Sequence, residues 1–300
     1  MKYVVCAVIS IAAAVACVPA AAAQESDPLV KRSDIFCTGF ISEVAPRVDL
    51  QVVGGEKENL KSLFTEGDIV FLNGGRERGI QPGAVFYITR PMGEVKHPFT
   101  KKKVGHFVRE LGLLRVIDVQ DYVSTAEITV SCETISFGDL LKPYEEYTSP
   151  SPRDARPLPR YGESSGGVTG QIMMSPKLRE YFSANEIVLI DLGERQGIRP
   201  GDYFTIYRKI GRTEGITNVR DDDVVQERSE GYGSIRYRGG DVSSIATRAP
   251  VEKVLRERPA LPRKVLGELV VLKVQNTAAV ALITRTNAEV NIGDWIERSN

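Results

Sequence analysis

The chain has 300 residues, 42% of them apolar and 26% charged, with 39 basic residues against 39 acidic ones. That length suggests about two domains, and the composition is that of an ordinary globular protein. Balanced charge gives no electrostatic basis for binding nucleic acid or an anionic membrane surface.

Residues 1–23 read as an export signal: Lys2 is the positive flank, 3–18 the apolar core and Ala21-x-Ala23 the cleavage site. Cleavage leaves Gln24 as the first mature residue. The plainer alternative is an uncleaved membrane anchor, for which the apolar core is short against a span of roughly 20 residues. No other segment is long and apolar enough to cross a membrane, so no transmembrane segment is expected after cleavage. The second reading is a lipoprotein anchored through Cys17, since Ala14-Val15-Ala16-Cys17 loosely fits a lipoprotein box without its leucine.

The first module is predicted over 34–147. Strands are expected at 38–41 and 48–53, a short helix at 60–64, and an apolar strand at 69–72. Next comes Gly79-Ile80-Gln81-Pro82-Gly83. Pro82 sets φ for the second position of a turn, Gly83 supplies the positive φ of a type II turn, and Gly79 serves another reversal. Ile80 is expected to plug the core. The following strand alternates, with Phe86 and Ile88 on one face and Val85 and Tyr87 on the other.

This stretch recurs as Gly197-Ile198-Arg199-Pro200-Gly201. Residues 64–90 align without a gap on 182–208, with 11 of 27 positions identical. Residues 111–144 align likewise on 266–299, with 11 of 34 identical, including the pairs Gly112 and Gly267, and Gly138-Asp139 and Gly293-Asp294. The chain is an internal duplication. The two offsets, 118 and 155, place 37 extra residues inside the second copy. Thr38-Gly39-Phe40-Ile41 is read as echoed by Thr169-Gly170-Gln171-Ile172, and a second short helix is expected at 178–182.

Cys37 and Cys132 are the cysteines left after signal cleavage. Export permits a disulfide between them, and two separate buried thiols are the other reading. By the alignments the second copy carries Val168 and Asn287 at these places. Residues 148–167 hold Pro150, Pro152, Pro157 and Pro159 among Ser, Arg and Gly and read as an extended linker. The second module is predicted over 168–300, with a solvated insertion at about 211–260. Each module then has about six strands and a short helix, an all-β fold suited to a small closed barrel.

Residues for chemistry are sparse. His97 and His106 lie in a basic loop and read as solvated. No cysteine or histidine cluster has zinc spacing, and no nucleophile elbow is present. The glycine-rich 162–170 lacks the strand-loop-helix setting of a phosphate loop. Asp68, Asp139, Asp202 and Asp294 each follow a glycine. Their carboxylates are expected to accept backbone N–H bonds within the turn, with calcium binding the alternative. Trp295 reads as core, with sugar stacking the alternative.

The sequence of apolar strand, Gly-Ile-x-x-Gly turn, strand ending in Arg, Gly-x-Leu strand and final Gly-Asp strand is carried by Gly79, Ile80, Pro82, Gly83, Arg90, Gly112 and Gly138-Asp139. The second copy carries it on Gly197, Ile198, Gly201-Asp202, Arg208, Gly267 and Gly293-Asp294. It resembles the C-terminal domain of the flagellar assembly protein T family, related copies of which occur beside LysM modules in exported bacterial proteins. Ala84 stands where the second copy has Asp202, and no LysM module is present. The resemblance implies a barrel-like envelope module that acts by interaction, with no catalytic residue to carry over.

The sequence therefore predicts a non-enzymatic, exported protein of the periplasm or cell envelope. No metal, cofactor or catalytic residue is expected, and its partner would be an envelope protein or peptidoglycan. The alternative is a carbohydrate-binding module using Tyr122, Tyr144, Tyr147, Tyr232 and Tyr237.

Overall fold

A computed structural model of the chain describes residues 36–147, 149–153, 157–210, 259 and 261–299. The predicted export signal, the Cys17 alternative and almost all of the predicted insertion lie outside the described residues. Among those residues no helix is long and apolar enough to cross a membrane.

The fold is all-β. The first copy supplies β1 (Phe40–Ser42), β2 (Val52–Gly55), β3 (Leu63–Phe64), β4 (Ile69–Leu72), β5 (Val85–Lys96), β6 (Lys103–Val119), β7 (Ser124–Ser131), β8 (Ile135–Ser136) and β9 (Leu140–Pro143). Six of these form a ring in the order β2-β4-β7-β6-β5-β9, and a bridge from Gln51 to Leu140 closes it. The second copy supplies β10 (Tyr161–Gly162), β11 (Thr169–Met174), β12 (Tyr181–Phe182), β13 (Ile187–Ile190), β14 (Tyr203–Lys209), β15 (Arg263–Val274), β16 (Ala279–Thr286), β17 (Val290–Asn291) and β18 (Trp295–Arg298). Its ring runs β11-β13-β16-β15-β14-β18 and returns to β11. Full closure removes the exposed edges that open sheets must protect.

Period-two alternation fills both barrels. Val70, Leu72, Phe86, Ile88, Leu114 and Ile128 point into the first, and Val188, Ile190, Phe204, Ile206, Leu269 and Ile283 into the second. Ile80 and Ile198 join these cores from the repeated turn. A single 3-10 turn precedes each of them, at Arg76–Arg78 and at Glu194–Gln196, and ends on Gly79 or Gly197 with φ of +73°. Gly112 and Gly267 face the carbonyls of Val130 and Arg285 so closely that a Cβ would overlap them.

The Pro-Gly turns form as the sequence demands. Gly83 and Gly201 have φ of +85° and +89°, and the N–H groups of Ala84 and Asp202 close the turns onto the carbonyls of Gln81 and Arg199. An added side chain at Gly83 would meet no heavy atom within 4 Å, so any cost there is backbone strain. Gly83→Val and Gly201→Val should each destabilise the protein by about 1–3 kcal/mol in urea denaturation. Unchanged midpoints would defeat the turn assignment.

Four expectations change. The short helices expected at 60–64 and 178–182 are instead turns leading into β3 and β12, because Phe64 and Phe182 must enter the barrels and their strands pair with β8 and β17. The echo of 38–41 in 169–172 is a coincidence of residue types. β1 pairs with β6 as β10 pairs with β15, whereas β11 takes the place of β2 in the ring. The same hydrogen bond identifies the true match: the Gln51 N–H donates to Asn73 Oδ1 and the Gln171 N–H to Asp191 Oδ1. Cys37 therefore has no counterpart at Val168.

Described residues of the predicted linker at 148–167 dock on the second barrel. Tyr203 Oη donates to the Ser151 carbonyl and accepts from Arg153 N–H, and β10 lies on β15. Trp295 lies half-buried on the outer wall of its barrel, with Lys209 Nζ 3.6 Å from the ring centroid. Ile296, not Trp295, faces the core.

Candidate functional site

The polar chemistry of this protein concentrates where the barrels meet. Past Thr89 the β5–β6 hairpin outgrows the first barrel and pairs from Arg90 with Arg109 to Lys96 with Lys103, with β1 added along its β6 side. This arm lies on the second barrel. Ile41, Val95, Val104 and Phe107 pack against Met173, Met174, Leu189 and Ala278.

His97, at the arm's tip, is buried, contrary to the solvated reading. Its Nδ1 accepts the N–H groups of Phe99 and Thr100 at 3.3 and 3.2 Å. That leaves the hydrogen on Nε2, which donates to Asp191 Oδ2 at 3.3 Å. Burial pushes the Asp191 carboxyl up, while the Gln171 N–H and His97 pull it down. His106 lies half-buried within the arm.

At the arm's base, Lys273 of β15 reaches Glu110 of β6. Its Nζ donates to Oε1 and Oε2 at 3.0 and 2.8 Å, and the two side chains are 1% and 3% exposed. Gly39 N–H donates to Glu110 Oε2 at 3.2 Å, and the Lys273 ammonium lies 4.6 Å from the Tyr147 ring centroid. Burial lowers the Lys273 ammonium from its ordinary value, against the pull of Glu110. Burial likewise raises the phenols of Tyr87 and Tyr147. Phe36, Tyr87, Tyr144 and Tyr147 form an aromatic cluster beside this pair.

A cleft of about 410 Å³ opens beside it, lined by Phe40, Glu43, Lys142, Glu145, Tyr147 and Asn276 among others. Glu43 is held by Arg195 at 2.8 Å and Asn276 at 3.2 Å, and Lys142 by Glu145 at 3.2 Å. Gln275 Oε1 also lines it and is buried without a hydrogen-bond partner. These groups can hold a neighbouring surface in register through hydrogen bonds and ion pairs.

The residues singled out in the sequence are spread around the barrel ends and do not meet in one site. Asp68, Asp139, Asp202 and Asp294 accept the N–H of the residue three before, at 2.7 to 2.9 Å. Asp139 and Asp294 also bind Arg90 and Arg208 in forked pairs. This gives the repeated strand-end arginine a role: it ties β5 to β9 and β14 to β18. Among the described residues no group of three His, Cys, Asp or Glu is placed to hold a metal ion.

The glycine-rich stretch has an internal anion. Glu297 accepts from Ser164 Oγ at 2.6 Å, from the N–H groups of Ser165 and Gly166 at 3.2 and 3.1 Å, and from Arg263 at 2.6 Å. Cys37 and Cys132 are bonded, with Cα atoms 5.7 Å apart. Where Cys132 stands, the second barrel has Asn287, whose Nδ2 donates to the Leu158 carbonyl at 3.3 Å.

Of the aromatics considered for carbohydrate, Tyr144 and Tyr147 belong to the junction cluster, Tyr122 is exposed, and Tyr232 and Tyr237 lie outside the described residues. The sequence reading missed Lys273 and Glu110. One signal was present: Lys273 interrupts the run Leu269-Val270-Val271-Leu272 in a strand buried on both faces. No protein-family model matches this chain, and no curated protein matches its sequence.

Proposed function

We propose that this is a non-enzymatic, exported envelope protein that presents two barrels in fixed relative orientation as an interaction scaffold. The observation that carries the reading is the use of its buried ionisable groups. Glu110, Asp139, Glu268, Asp294 and Glu297 are each matched to a lysine or arginine of the chain's own framework. Each of these pairs fastens strands, turns or modules of the chain to one another. The arm and the ion pair then hold one barrel against the other, which suits a part that must present surfaces at a set spacing. The export signal and the resemblance to the flagellar assembly protein T C-terminal domain support placing this scaffold in the periplasm or cell envelope, with an envelope protein as partner.

The test pairs two measurements on the mature protein. N-terminal sequencing of protein recovered from the envelope fraction should begin at Gln24. Incubation with purified peptidoglycan should release no soluble fragments, while cross-linking in intact cells should trap a protein partner. Release of fragments, or an uncleaved cytoplasmic product, would overturn the reading.

A further inference from the structure

The two barrels are copies, so each surface of one has a counterpart on the other. The face of the second barrel that receives the arm is built on β11, β13 and the turn entering β16, from Met173, Leu189 and Ala278, which are 3%, 0% and 0% exposed under it. The counterpart face of the first barrel is built on β2, β4 and β7. The registers match, since Val52 pairs with Leu72 as Ile172 pairs with Ile190, and both pairings shift at the next residue. Val53 then corresponds to Met173, Phe71 to Leu189, and Tyr122 and Val123 to Thr277 and Ala278.

Nothing among the described residues covers this face, yet it has kept an apolar character. Val53, Tyr122 and Val123 are 45%, 70% and 36% exposed, and Phe71 is half-buried beside them. A solvated outer wall has no need of four apolar side chains on two adjacent strands and the turn that enters a third. The edge has changed in charge as well. Where Arg195 of the second barrel meets Glu43, just after the arm's β1, the first barrel has Glu77, and where Asp191 receives His97 it has Asn73.

The second barrel also has the means to continue the pattern. β14 and β15 leave it at the level where β5 and β6 leave the first, with the bulge after Ile206 matching that after Ile88. The connection between them, 210–262, is the place of the 37 extra residues. We propose that the uncovered β2-β4-β7 face of the first barrel receives a second copy of this chain, through the connection between that copy's β14 and β15. The contact repeats between molecules what the arm does within one. It is heterologous, so it propagates head to tail into a ring or a filament. The proposal does not depend on where the protein resides.

Sedimentation velocity on the purified mature protein tests it, read over a wide concentration range. The wild type should associate beyond a dimer. Val53→Glu with Val123→Glu places charges on the face, and the deletion of 213–258 with a Gly-Ser join removes the connection. Each should sediment as a monomer, with self-association weakened roughly thirtyfold or more. Val53 and Val123 are exposed positions, and melting like that of the wild type confirms that both variants fold. Tyr122→Ser serves as a milder variant of the face. The decisive arm is the mixture. The face variant keeps its connection and the deletion variant keeps its face, so together they should form a one-to-one pair that neither forms alone. A monomeric wild type, undiminished association in either variant, or a mixture that stays monomeric would each overturn the proposal.

Discussion

Lys273→Met is expected to destabilise the protein by about 3–5 kcal/mol, because it leaves the Glu110 carboxylate buried and unpaired at the junction. Glu110→Gln should cost a comparable amount for the converse reason. The double replacement Lys273→Met with Glu110→Leu should recover most of the loss, since a buried pair exchanged for apolar side chains of similar volume is often neutral. A double-mutant cycle from denaturant unfolding measures the coupling. Additive losses would mean that the two groups do not act on each other. The pH dependence has a definite sign. The folded protein holds the Lys273 ammonium below its ordinary value. The unfolded chain therefore binds more protons between the lowered value and the ordinary one near 10.4, and stability contributed by this group rises with pH across that window. Lys273→Met should remove that rise.

The second large effect is expected from the disulfide. Cys37 and Cys132 are 95 residues apart in sequence. On a chain-entropy basis closing so long a loop is worth about 4–5 kcal/mol, within the usual span of about 2–5 when a native bridge is removed. Reduction, or Cys37→Ser with Cys132→Ser, should lower the unfolding free energy from denaturant titration by that amount. Asn287→Ala, which removes the second barrel's hydrogen bond at the same place, should cost only about 0.5–1.5 kcal/mol. Equal losses from the two changes would show that the covalent link adds nothing beyond local contact. Thiols found free in protein taken from cells would also count against an oxidising compartment.

What could be read from the sequence was what local chemistry fixes. Positive φ at Gly83, Gly138, Gly201 and Gly293 is a single-residue demand, so turn positions were legible, as was the alternation at Phe86 and Ile88. The duplication was legible because those demands recur in register. The matching of Thr38-Gly39 to Thr169-Gly170 failed because residue types at a strand start do not say which neighbour the strand pairs with. The burial of His97 and Lys273 was hidden for a related reason. His97 sits in a basic loop that reads as solvated and Lys273 follows an apolar run, and in both cases only the approach of the other barrel supplies the partner. The anion that the glycine-rich 162–170 holds, Glu297, lies some 130 residues away in the chain, beyond what local sequence shows.

The closing pairs of the two rings bear on how the chain assembles during synthesis. Each barrel joins its first ring strand to its last, Gln51 to Leu140 in one and β11 to β18 in the other. A chain growing from its N-terminus can thus complete the first barrel once β9 has emerged. The second must wait for β18. Throughout that interval the arm has no floor beneath it: Ile41, Val95, Val104 and Phe107 face water, and Glu110 lacks its cation. The polypeptide is therefore most vulnerable to mispairing while β10 to β17 are being made, and an arrested product ending in this stretch would be sticky. A holdase that favours apolar hairpins would have its natural moment of action there.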